Sequence, residues 1–162
     1  MKALAFLLGL CLVGGIASQA KAAELEVQPV IGGNPMRCHD FRGAVVRTLQ
    51  TTDLGDVGRA SIVARVPVIQ LDSERLAKLP PKLQIFFFMH ECAHLVTKSP
   101  NEVAANCLAL KVARQNGLTR EIEAEIGKFH YTLGLMPAQF GGSGKAYWDA
   151  TMQCAGDRDP EG

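Results

Sequence analysis

The sequence predicts a single small α+β domain: a short, mainly antiparallel sheet packed on three or four helices. Three observations carry this. The first half holds a β-branched run, Ala60 to Leu71, rich in Ile and Val. The second half holds stretches of helical period with recognisable starts and stops. The whole is 162 residues, about one domain's worth, with no internal repeat and no long linker. Hydrophobic residues at 48% and charged residues at 20% exclude a disordered or low-complexity chain. A formal charge of +1 offers no basic field, so no nucleic acid partner is expected.

Taken in order, the chain opens as an export signal. Met1-Lys2, an apolar run from Ala3 to Ile16 and the small-residue stretch Ala20-Lys21-Ala22 make a charged start, a greasy middle and a cleavage site. The expected division is residues 1–22 as signal peptide and residues 23–162 as the domain, periplasmic or secreted. The apolar run is shorter than the roughly 20 residues a membrane span needs, so no stable span is expected after cleavage. A retained N-terminal anchor is the alternative. Residues 23–43 read as irregular, with a turn at Gly32-Gly33-Asn34-Pro35. Ala44 to Leu49 suits a strand or a short helix, and Asp53 to Gly58 a turn. Pro67 divides the Ala60–Leu71 run or places its second piece at a sheet edge. Ser73 to Leu79 fits a short helix capped by Ser73.

A longer helix follows from Pro81 to about Thr97. Its centre, Ile85-Phe86-Phe87-Phe88-Met89, is apolar on every side, which predicts burial all round. Ser99 caps the next helix with Pro100 as its first residue, and Gly117 stops it. Thr119 caps a third, whose face is Ile122, Ile126, Phe129 and Leu133. Pro137 and Gly141 to Gly144 form a loop, a short helix from Lys145 to Cys154 closes the domain, and Gly156 to Gly162 fray.

Within the long helix, His90-Glu91-Cys92-Ala93-His94 is an H-E-x-x-H sequence. Residues four apart lie about 40° from each other around a helix, so both imidazoles can reach one metal ion. Glu91 sits at the edge of that face, placed to take a proton from a water that a zinc ion activates. A catalytic zinc needs a third protein ligand and an open fourth position. Glu102 is the candidate, because the Ser99-Pro100 break lets the chain reverse and bring it beside the first helix. Asn106, one turn further, can accept a hydrogen bond from a ligating histidine's outer ring nitrogen. The competing role for Glu102 is a capping box with Ser99. His39 and His130 are less well placed as ligands.

Met89 to Leu95, followed by Asn101-Glu102-Val103-Ala104-Ala105-Asn106-Cys107-Leu108-Ala109, resembles the minimal gluzincin metallopeptidases of the HtpX and ImmA/IrrE type. Their pattern is H-E-x-x-H and then E-x-x-A-(D/N)-x-x-A on the next helix. Pro67 to Asp72 also looks like the strand before their active-site helix. The resemblance covers residues 60 to 112. It implies a zincin-like domain with one Zn2+ per chain on His90, His94 and Glu102, Glu91 as general base, and Asn106 as an orienting residue. Asn106 stands where Asp is commoner, which makes that partner uncharged. The short gap from His94 to Glu102 leaves little room for inserted substrate-binding structure.

An oxyanion donor is also expected of a peptidase. His130, facing the apolar side of its helix, is the candidate, with Tyr131 and then Tyr147 behind it; a hydrogen-bonded core histidine is the competing role for His130. The function expected is an exported zinc metallopeptidase acting on a peptide or protein substrate. Its rivals are a zincin-like binding or assembly module that keeps the metal without catalysis, and a disulfide-held structural domain with no metal.

Cys38, Cys92, Cys107 and Cys154 predict two disulfides in an exported chain; Cys11 belongs to the signal. Cys92 points about 180° from the mean direction of His90 and His94, and Cys107 about 140° from Glu102. That orientation favours each of them stapling a chain end, through Cys38 and Cys154.

Overall fold

Val66–Asp72 is the strand on which the sheet is built, because five of its seven residues are buried. The computed structural model describes residues 25–26, 28–31 and 34–156. The export signal expected over residues 1–22, the Gly32-Gly33 part of the first turn and the end from residue 157 lie outside these. The strands are β1 (Leu25–Glu26), β2 (Val30–Ile31), β3 (Asn34–Pro35), β4 (Arg47–Thr51), β5 (Gly58–Val63) and β6 (Val66–Asp72). The order β1-β4-β6-β5 forms one sheet, and β2 and β3 pair separately.

The class is α+β as expected, but the sheet is mixed. β4 and β6 run parallel, while β1 and β5 flank them antiparallel. The chain leaves β4, runs out along β5 and turns back between the two as β6. Neighbour order of this kind is invisible to residue alternation. Pro67 therefore lies in an inner strand, and the edge is β5. The proline is tolerated because β4 pairing begins only at Val68, opposite Arg47. The division of the run is at Ala64-Arg65, whose φ values of 48° and 69° make a two-residue hairpin between Val63 and Val66.

Among the described residues five α-helices follow: α1 (Ser73–Ala77), α2 (Pro81–Thr97), α3 (Glu102–Gln115), α4 (Arg120–Thr132) and α5 (Gly144–Ala155). Asp72, not Ser73, caps α1, accepting from the Arg75 N–H at 3.0 Å. α2 keeps the expected bounds. Its Phe88 and Leu95 pack with Ile69 and Leu71 of the sheet, while Leu83 and Phe86 pack with Leu110, Ile126 and Trp148 of the later helices. The helix is sandwiched between two cores, which explains apolar residues all round it. Gly117, at φ 80°, follows the Asn116 end of α3, and the Leu118 N–H returns to the Ala113 carbonyl at 2.9 Å.

Helices α4 and α5 meet through glycine. A Cβ on Gly144 would lie 1.9 Å from the His130 carbonyl oxygen, and one on Gly127 2.6 Å from the Trp148 indole nitrogen. Cys38–Cys92 ties the N-terminal segment to α2, and Cys107–Cys154 ties α3 to α5. Cys92 and Cys107 are each joined to a cysteine nearer a chain end. No helix among the described residues is long and apolar enough to cross a membrane.

Candidate metal centre

The end of α2 sets the site. Lys98 adopts a left-handed φ of 52° and reverses the chain. Asn101 then caps α3, its side chain accepting from the Ala104 N–H at 2.8 Å. The start is two residues later than the Ser99 cap expected from the sequence, because Ser99 Oγ instead accepts from the Asn101 N–H at 3.1 Å. Pro100 consequently precedes the helix. Glu102 becomes the first residue of α3, so no Ser99–Glu102 capping box forms and its carboxylate is free to face α2.

There it meets both histidines. Glu102 Oε2 lies 3.1 Å from His90 Nε2 and 3.4 Å from His94 Nε2, and the two Nε2 atoms are 3.1 Å apart. One ligand atom from each of the three residues falls within a 4.8 Å group. This group could hold a metal ion.

The outer ring nitrogens are both engaged. His94 Nδ1 is 2.8 Å from the Ser99 carbonyl, which can only accept, so Nδ1 carries a proton and, in the neutral ring, Nε2 is the nitrogen whose lone pair faces the group. His90 Nδ1 is 2.8 Å from Asn106 Oδ1, the partner expected from the sequence. Two fixed tautomers thus aim at one point.

Burial works against ionising Glu102, but hydrogen bonds from His90 and His94 outweigh it and hold the carboxyl at about 2. The Glu102 hydrogen bond leads the causes that raise His94. Burial pushes Glu91 the other way, above its ordinary value, against the pull of His90 and His94. Glu91 stands next to the triad and is not part of it. The Ala60 backbone N–H on the β5 edge donates to its carboxylate. A Cβ on Gly58 would lie 2.9 Å from Glu91 Cγ. Gly58, which the sequence places in a turn, instead starts the edge strand β5, where glycine allows this close backbone approach.

The triad opens into a cleft of about 530 Å³, bounded by β5 on one side and by Leu133, Phe140 and Tyr147 on the other. His130 reaches its wall but does not present a donor to it. Its Nδ1 donates to the Ile126 carbonyl at 2.8 Å, and its ring stacks on Trp148 with centroids 4.9 Å apart. The N–H of His130, expected to serve as an oxyanion donor, is engaged inside α4 in this structure, and burial lowers the pKa of the ring. Tyr131 is half exposed and its hydroxyl lies 3.3 Å from Asp149, away from the triad. Tyr147 is the residue that lies beside it, donating to the Glu102 backbone carbonyl at 3.1 Å. Burial raises its pKa far above the ordinary value, so the phenol keeps its proton. His39 is exposed and apart from the group.

No family model, curated protein or solved structure matches the chain.

Proposed function

We propose that this chain is a zincin-like, zinc-dependent metallopeptidase that hydrolyses peptide bonds, exported to an oxidising compartment. One observation carries the reading. Two histidines and a glutamate from two helices converge within 4.8 Å, beside a second, buried glutamate that is not one of them, at the wall of an open cleft. The three donors suit zinc, and two nitrogens with one carboxylate oxygen leave a fourth position for a water or substrate. Zinc held there would supply Lewis acidity and bring the pKa of a water to about 7.

The chain's own residues divide the remaining work. Glu91, whose pKa burial raises above its ordinary value, accepts the water's proton and passes it to the departing amine. The Ala60 N–H holds that carboxylate in place. Tyr147 turns its hydroxyl from the Glu102 carbonyl to the carbonyl oxygen under attack, where negative charge develops. The two disulfides fit the oxidising compartment.

Activity on a mixed peptide library, wild type against Glu91→Gln, tests this. Hydrolysis by the zinc-loaded wild type should fall by orders of magnitude in the variant while zinc stays bound. Equal cleavage by both, or none by either, would leave the metal-holding binding module as the better account.

A further inference from the structure

The hydrogen bonds behind His90 form a chain whose direction is set from its far end. Ile126 ends it with a backbone carbonyl, which can only accept. His130 Nδ1, 2.8 Å away, must therefore carry the ring proton. His130 Nε2 is then an acceptor, and the group facing it at 3.4 Å is the Asn106 side-chain NH2. With its nitrogen committed there, the Asn106 amide can present only its oxygen to His90, at 2.8 Å. His90 Nδ1 must donate to that oxygen, and its Nε2 is left facing Glu102 and His94.

We infer that His130 is a positioning residue for the metal centre: it selects the orientation of the Asn106 amide and, through it, the ring nitrogen that His90 offers to zinc. The surroundings hold His130 to this role. The residue is 2% exposed, stacked on Trp148 and met edge-on by Phe86. Its backbone carbonyl is pressed against Gly144, where no Cβ fits. The same polarity gives a reason for asparagine at position 106. The residue must accept from one histidine and donate to the other; a carboxylate does only the first, and its second oxygen would face the bare Nε2 of His130.

The inference rests on the metal-centre reading and is tested on the oxidised chain by zinc titration and by 15N NMR of the His130 ring. In wild type, His130 should show a protonated Nδ1 and a bare Nε2. His130→Phe, which keeps a ring against Trp148 but has no acceptor, should weaken zinc binding roughly tenfold, the scale of outer hydrogen-bond partners. His130→Gln, whose carbonyl oxygen can still accept from Asn106, should recover most of that. In an Asn106→Ala background, His130→Phe should cost nothing further, because its path to the metal is already cut. A protonated Nε2 on wild-type His130, unchanged zinc affinity in His130→Phe, or the same loss in both backgrounds would overturn the inference. Unchanged affinity with peptide cleavage intact would sink this inference alone. Zinc-loaded wild type that cleaves nothing would sink the peptidase reading and leave the positioning role standing.

Discussion

At the residue scale, neighbours one position apart face different groups. His90 faces the triad, while Glu91 leans towards β5 and the Ala60 N–H. Tyr147→Phe removes only the hydroxyl. It should lower turnover by roughly 10²–10³ while zinc content stays the same, the effect of losing one oxyanion donor; steady-state kinetics on a cleavable peptide check it. The paired Glu102 and His94 also set a pH dependence in the metal-free chain. Glu102, held at about 2 against an ordinary 4.5, stabilises the fold above 4.5 and loses that contribution as the pH falls towards 2. His94, raised above 6.5, contributes fully below 6.5 and loses it as the pH climbs through its raised value. Thermal melts of the metal-free chain should therefore show this pair's contribution greatest between about pH 4.5 and 6.5. Glu102→Gln should flatten both limbs, and a wild-type profile retained in that variant would mean the pair is not responsible.

At the scale of elements, α2 and the site's helices were legible, and the sheet's arrangement was not. The all-round apolar centre of α2 announced a buried helix, and His90 and His94 inside it marked two members of the group that could hold a metal ion. Helical spacing also turned Cys92 and Cys107 away from the ligand face, and each is joined to a cysteine nearer a chain end. Strand order depends on contacts between segments distant in sequence, so Pro67 suggested an edge that belongs instead to β5. The shift of the α3 start from Ser99 to Asn101 had the same origin. Both residues can cap, and the choice follows from where Lys98 reverses the chain. His130 faced inward as expected, but its N–H goes to a carbonyl one turn back in its own helix and its other nitrogen to Asn106, which an apolar pattern cannot report. The edge strand yields its own prediction. Gly58→Ala places a methyl 2.9 Å from Glu91 Cγ. Peptide cleavage should drop while zinc affinity holds, because Glu91 moves and the triad does not. An unaltered turnover number would show that β5 does not position Glu91.

Over the whole molecule, two disulfides fasten the two helices that carry the triad. Cys38–Cys92 spans 54 positions and Cys107–Cys154 spans 47. Loop closure of this size is worth about 4 kcal/mol per bridge, and measured values run at about 2–4 kcal/mol. Replacing Cys107 and Cys154 together by Ser should lower the unfolding free energy by about 2–4 kcal/mol. Zinc should restore part of it, since a metal that binds only the folded chain stabilises that chain. Denaturant titration with and without zinc measures both effects, and an unfolding curve identical to wild type would show that this bridge contributes nothing.

The claim on which the rest depends is that His90, His94 and Glu102 together hold one metal ion. Metal analysis of the oxidised, purified chain tests it most directly. About one zinc per chain is expected in wild type and in Glu91→Gln, with strong loss in His90→Ala and His94→Ala and weakened binding in Glu102→Gln. Zinc content unchanged in the last three variants, or no zinc bound by wild type at all, would contradict it.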